Sequence, residues 1–286
     1  MPPDDAHPNQ FGFRKGRSTA MACNLLNDLA QYCDFNGSPL YVCSLDAEKC
    51  FDSVWHDGLL FKLIDKLPQS HWLFLYTWYK TMKCAIRWNG SLSKEFCVKR
   101  GTKQGSILSP ALFNIFINDL LIELANSDSG VRIDSKVLNS FAYADDINLL
   151  SLTAKGLQRL IDICFRYAKK WRFTFGIQKT NCTTIGTGFL KSEPAWHLGD
   201  HKIHVVNTLE ILGPTFSHDL SAMPHIQKRI HACRRAMFSL APMGCSYPGL
   251  CTGAKSHLWK SVGQPSLLYG LDVFSWNTTQ MKTAES

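Results

Sequence analysis

The stretch Phe141-Ala142-Tyr143-Ala144-Asp145-Asp146 constrains this chain more than any other, because it sets two adjacent carboxylates between two short apolar runs. Leu138, Phe141 and Tyr143 lead in, and Ile147, Leu149, Leu150 and Leu152 lead out. That pattern suits two buried or half-buried strands with the acids at a hairpin tip. Acids held side by side repel, and the arrangement costs free energy unless a cation or a proton neutralises them. An Asp-Asp pair at a turn is by itself ordinary turn chemistry, so a metal-site reading needs a third carboxylate. The run Leu40-Tyr41-Val42-Cys43-Ser44-Leu45 reads as a buried central strand, and it ends on Asp46. Phe51 follows closely enough to share a pocket wall with Asp46.

A chain of 286 residues can bury a substantial core as one large or two modest domains, and its 45% hydrophobic and 19% charged content excludes wholesale disorder. Its formal charge of +8 favours polyanionic partners. The 11 cysteines are odd in number and include no Cys-x-x-Cys pair, so they read as reduced core thiols. No basic and apolar leader opens the sequence, and the apolar stretch Leu108 to Leu124 carries Pro110, Asn114, Asn118, Asp119 and Glu123, which suits it poorly to a bilayer. The expected setting is intracellular, nucleus or cytoplasm, with no membrane partner.

Three segments in order carry a resemblance. Leu45-Asp46-Ala47-Glu48-Lys49-Cys50-Phe51-Asp52, then Arg100-Gly101-Thr102-Lys103-Gln104-Gly105-Ser106-Ile107-Leu108-Ser109-Pro110, then Phe141 to Asp146, resemble motifs A, B and C of reverse transcriptases in wording and spacing. The wording is closest to the non-LTR (LINE-type) retrotransposon enzymes, which Gln10-Phe11-Gly12-Phe13-Arg14-Lys15-Gly16-Arg17-Ser18-Thr19 also resembles.

The order of elements folds as an α+β, ferredoxin-like antiparallel sheet with helices on one face. The resemblance makes this sheet a polymerase palm. It implies partial fingers over 1–39, a palm with motifs A to E over 40–216, and the start of a helical thumb over 217–286. It further implies an RNA-directed DNA polymerase, with RNA template, DNA primer and dNTP as partners. Asp46, Asp145 and Asp146 would be the catalytic acids. Asp46, Asp145 and the Ala47 carbonyl would hold two Mg²⁺ ions, with Mn²⁺ as a substitute. Phe51 would gate the ribose 2′ position, and Gln104, Gly105 and Lys179 would meet the nucleotide. Arg14, Arg17, Lys228, Arg229, Arg234 and Arg235 would meet nucleic acid. The family carries a longer fingers region ahead of Gly12, so the chain is expected to be an incomplete polymerase, truncated in its thumb as well. Alternatives are another RNA-copying polymerase, a group II intron maturase, or an inactive element remnant that is at most a basic nucleic-acid-binding protein.

Between the motifs, residues 1 to 10 read as unstructured. Ser18 or Thr19 caps a helix with Met21, Leu25, Leu26, Leu29 and Tyr32 at its apolar positions. Val54 to Leu67 and His71 to Met82 read as helices split by Pro68, with the aromatics of the second packed in the core. Asn89-Gly90 marks a hairpin. Ser109 reads as an N-cap with Pro110 at the first helical position, followed by Leu112, Phe113, Phe116, Ile117, Leu120, Leu121 and Leu124 on one buried face. Leu157, Leu160, Ile161, Cys164, Phe165, Ala168 and Trp171 repeat at helical spacing. Phe173 to Ile185 and Leu209 to Gly213 resemble motifs D and E of the same family.

Overall fold

Alternate side chains of the strand β1 (Leu40–Asp46) enter one core, and that alternation organises a five-stranded sheet. The computed structural model describes residues 6–103, 105–186, 194–243 and 250–276. Its contacts divide the chain into two compact units, one drawn from Met1–Ser18, Tyr41–Cys182 and Ser192–Val205, the other from Thr19–Leu40, Thr183–Lys191 and Val206–Ser286.

The first unit carries the sheet. With β2 (Ser140–Tyr143), β3 (Asp146–Ser151), β4 (Asn181–Ile185) and β5 (His204–Val205), the strand order is β5-β4-β1-β3-β2. β3 runs antiparallel to both β1 and β2, while the edge strand β5 runs parallel to β4, so the sheet is mixed rather than purely antiparallel. Tyr41, Cys43 and Leu45 of β1 and Ile147 and Leu149 of β3 point into the core beneath the sheet.

Three helices cover that face: α3 (His56–Leu63), α5 (Leu108–Ala125) and α6 (Ala154–Trp171). All seven apolar positions expected of α5 are buried, from Leu112 to Leu124. α5 is long and apolar enough to cross a membrane by length and composition, yet Leu112, Phe113, Phe116, Ile117, Leu120, Leu121 and Leu124 lie in the core. α6 begins at Thr153, whose hydroxyl accepts from Gly156 N at 3.0 Å. Lys62 stitches the three helices together. Its ammonium donates to Phe116 O and to Asp119 Oδ2 of α5 at 2.7 and 2.8 Å, reaches Tyr167 Oη of α6, and lies 3.8 Å from the Trp171 ring centre. Burial pushes its pKa down to about 8, with Asp119 pulling the other way.

The second unit contains α1 (Thr19–Phe35), the hairpin Thr208–Glu210 with Thr215–Ser217, and α7 (Met223–Phe238). His225 of α7 accepts from Thr215 N at 3.3 Å on Nδ1 and lies 3.0 Å from Tyr269 O on Nε2, which joins hairpin, helix and the later chain. Every cysteine in the described residues is a free thiol, as expected, but Cys84, Cys97 and Cys251 are exposed rather than in the core.

Several local expectations are corrected. Residues 6–10 are ordered: Ala142 N donates to Asn9 O at 2.8 Å and Phe11 N to Ala142 O at 2.7 Å, which lays this segment along the β2 edge. The helix expected over Val54 to Leu67 is shorter, α3 spanning His56–Leu63: Val54 is non-helical and its carbonyl accepts from Gly101 N at 2.9 Å, with a separate short helix, α2 (Cys50–Ser53), before it. α5 starts at Leu108, before the expected cap, and Ser109 Oγ donates to Lys103 O at 2.6 Å instead of capping. On α4 (Gln69–Thr81) only Leu75 and Tyr79 are buried, since one helix stripe meets the core; Leu73, Phe74 and Tyr76 are exposed. Met21, Tyr32 and Phe165 are likewise exposed, and the buried stripe of α1 runs through Ala22, Cys23, Leu26, Leu29, Ala30 and Cys33. The Asn89-Gly90 turn is a two-residue hairpin loop with positive φ at both positions.

Because Lys62 is the shared partner of three helices, Lys62→Ala is expected to lower unfolding free energy by about 3 kcal/mol, through cavity formation and loss of its buried bonds. Urea denaturation of the two proteins measures it.

Candidate active site

The site grows from the hairpin between β2 and β3. Tyr143 pairs with Asp146, leaving Ala144 and Asp145 as a two-residue turn. Ala144 sits at φ 57, a left-handed conformation that costs a non-glycine residue about 1–2 kcal/mol. On the other side of β3, Asp46 is the cross-strand partner of Asp146. Direct partners project to one face, so two carboxylates stand opposite each other at the sheet's end with a third on the adjoining turn.

Such a cluster is electrostatically frustrated, and its neighbours show how. Burial, then the charges of Asp145 and Asp46, push the Asp146 carboxyl up to about 6, with Lys179 opposing. Lys179 Nζ lies 3.0 Å from Asp46 Oδ2, and that hydrogen bond holds the ammonium above its usual pKa. The loop bearing Lys179 is docked on the strand end, with Gly176 N donating to Asp46 O and Glu48 N to Thr174 O, both at 2.9 Å. Cys50 Sγ donates to Asp145 Oδ2 at 3.0 Å. Burial first, then this bond, raise the thiol's pKa.

As they stand, no three His, Cys, Asp or Glu side chains among the described residues are gathered to hold a metal ion. The Asp46 carboxylate is turned to Lys179, and that of Asp145 to Cys50. The donor set nevertheless fits a hard divalent cation: all three donors are carboxylates, and Asp145 and Asp46 add, after burial, to what raises the Asp146 pKa, a repulsion that a cation would relieve.

The remaining expected residues lie as follows. Ala47 is buried and bridged to Phe175. The Phe51 ring packs 5.0 Å from Phe113 and 6.2 Å from Phe13, and the Phe51 carbonyl accepts from Thr102 N at 2.6 Å, which ties the second motif to the first. Gly105 is exposed at φ 80, and Gln104 lies outside the described residues. Arg14 turns inward, donating to His7 O at 2.9 Å and Gln10 O at 3.3 Å, and Arg17 lies over Phe11 at 5.2 Å. In the second unit, Lys228 pairs with Glu210 at 2.5 Å, and Arg229 reaches Ser266 O and stacks over Tyr269 at 5.3 Å. Arg234 and Arg235 are exposed on α7.

Gln10, Gly12 and Cys50 appeared in the sequence only as members of motif-like segments, with no site role of their own. Gln10 is 1% exposed, and its side chain spans 134 positions to bond both backbone groups of Ala144. The one sequence signal was Gly12 beside it, a residue type that allows close backbone approach. Cys50 was read only as part of a motif, and its neighbour across the fold is invisible in one dimension.

A family model described as reverse transcriptase (RNA-dependent DNA polymerase) matches residues 2–216. Among curated relatives, the probable RNA-directed DNA polymerase from transposon BS of Drosophila melanogaster is 27% identical over 93% of this chain and 30% of its own length. The RNA-directed DNA polymerase from mobile element jockey of the same species is 26% identical over 93% of this chain and 29% of its own length. The chain thus spans about three tenths of these relatives. Apo telomerase from Candida tropicalis truncated from its C-terminal domain shares the fold over 70% of this chain and 38% of that one, with a TM-score of 0.50 and 14% identity. With three quarters of its length inside the family match, this chain belongs to the reverse transcriptases and is related to the polymerases of non-LTR retrotransposons.

Proposed function

We propose that this chain is the catalytic palm region of a retrotransposon RNA-directed DNA polymerase, which joins a dNTP to a primer 3′-hydroxyl on an RNA template. The observation that carries this reading is Asp46 paired with Asp146 across two strands, beside Asp145 on the hairpin turn. In the reaction the 3′-hydroxyl gives its proton to solvent, its oxygen bonds to the α-phosphorus, the bond from that phosphorus to the bridging oxygen breaks, and pyrophosphate leaves. Asp46, Asp145 and the Ala47 carbonyl would hold divalent cations, with Asp146 adding negative charge. Mg²⁺ bound there would supply Lewis-acid stabilisation of the attacking and leaving oxygens.

The chain's own residues have the other roles. Lys179 leaves Asp46 to meet the anionic leaving group, a move that its exposure permits. Phe51, braced by Phe113, excludes a 2′-hydroxyl, and Gln104 and Gly105 contact the nucleotide. Arg234 and Arg235, exposed on α7, meet the sugar-phosphate backbone without base preference. The motif order supports partial fingers over 1–39, palm over 40–216 and a thumb starting at 217.

Primer extension on an RNA template with Mg²⁺ and dNTPs, by this chain and by one extended at its N-terminus, tests the reading. Asp46→Asn should lower extension more than about 100-fold while leaving the fold intact, read by circular dichroism. Retained template–primer binding with no extension by any form would leave a nucleic-acid-binding remnant. Phe51→Ala should raise ribonucleotide incorporation relative to dNTP, read on the same gels.

Asp146 also dictates a pH dependence. The folded chain keeps a proton up to about pH 6 that the unfolded chain releases near 4, so metal-free stability falls as pH rises across that window. Thermal melts in EDTA at pH 4.5 and 6.5 should show this fall reduced in Asp146→Asn. Mg²⁺ should stabilise the parent more at pH 7.5 than at pH 5.5.

A further inference from the structure

The turn that carries Asp145 is held from outside its own hairpin. Gln10 is buried to 1% exposure, and its carboxamide treats Ala144 as a neighbouring strand would. The amide oxygen accepts from Ala144 N at 2.9 Å, and the amide nitrogen donates to Ala144 O at 3.3 Å. The same oxygen accepts from Gly12 N at 2.9 Å, so the side chain is fixed against its own backbone. A Cβ on Gly12 would fall 2.2 Å from Ala144 N and 2.9 Å from the Tyr143 carbonyl carbon, so only glycine lets the segment lie this close to the turn. Asn114 of α5 donates from Nδ2 to Gly12 O at 3.0 Å, anchoring the clamp to the core helix. Ala144 is the residue in the left-handed conformation, one that an alanine does not keep without support.

We infer that Gln10 is a positioning residue for the acids: its carboxamide, seated by Gly12 and Asn114, holds Ala144 in its strained conformation and thereby aims Asp145 at the cation it would share with Asp46, with Asp146 beside them. This rests on the polymerase reading above for its catalytic consequence, but not for the clamp itself. Gln10 touches no reacting atom. It acts through the turn, whose orientation decides whether the Asp145 carboxylate can share a cation with Asp46 on β1.

The experiment compares the full chain with Gln10→Leu, Gln10→Glu and Gly12→Ala. Hydrogen exchange at the Ala144 amide is expected to speed about tenfold or more in Gln10→Leu, while strand amides such as Leu149 keep the parent rate. Gln10→Glu keeps an accepting oxygen and should keep the amide slow. In Gln10→Leu and Gly12→Ala, Mn²⁺ affinity should weaken about tenfold, and the Mg²⁺ needed for half-maximal extension should rise about as much, with kcat lowered and template–primer affinity unchanged. Parent-like exchange at Ala144 in Gln10→Leu overturns the inference, as does Mn²⁺ affinity within about twofold of the parent in a folded variant. If Gln10→Leu does not fold, Gly12→Ala and Gln10→Glu decide by the same readouts. If the parent binds Mn²⁺ but neither it nor the form extended at its N-terminus extends a primer, the polymerase reading falls, and the clamp is then judged on exchange and Mn²⁺ affinity. A parent that binds no Mn²⁺ overturns both.

Discussion

Mutual repulsion among Asp46, Asp145 and Asp146 is the constraint on which the site depends. Like charges directly opposite on neighbouring strands destabilise a sheet, and burial of Asp146 raises the cost. The placement persists because each acid on a strand is followed or preceded by a core residue. Leu45 precedes Asp46 and Ile147 follows Asp146, both fully buried and paired with one another across the strands. Burying a side chain of that size contributes about 1.5–3 kcal/mol, enough to hold the register that brings the charges together. The pleat then sends the acids to the opposite face from their apolar neighbours.

That arithmetic of alternation explains what was legible in the sequence. β1, the hairpin, and the buried faces of α5 and α6 could be read because their apolar residues recur with periods of two or of 3.6. That Asp46 and the acidic hairpin tip come together was expected from strand ends and from the motifs; that its direct cross-strand partner is Asp146 rather than Asp145 was not. Illegible features are those set by partners distant in sequence. The non-helical Val54 answers to Gly101, and the inward turn of Ser109 answers to Lys103. The aromatic helix α4 looked like core because composition says nothing about how many sides of a helix find a neighbour. Gln10 stood where a segment read as unstructured meets the start of a motif-like one, yet its side chain is among the most enclosed polar groups in the first unit.

Composition also suggested a surplus of cations free for polyanions, and the structure divides that surplus. Lys62 is consumed within the core, Arg14 within its own segment, and Lys228 and Arg229 within the second unit. Lys179 is committed to a carboxylate, but at an exposed position where water competes and exchange of partners is inexpensive. Positive charge in this chain is therefore partly architectural, and net charge overstates what α7 and the loops present to a ligand.

The strip Asn9 to Phe11 lies along β2, an edge strand of the sheet, and satisfies backbone groups there. An uncovered strand at that place would offer an open row of donors and acceptors to any second molecule. The residues that brace the acidic turn thus also seal the sheet against growth by strand addition. Loosening them would affect solubility along with geometry, so a sequence change in this short strip trades two properties at once.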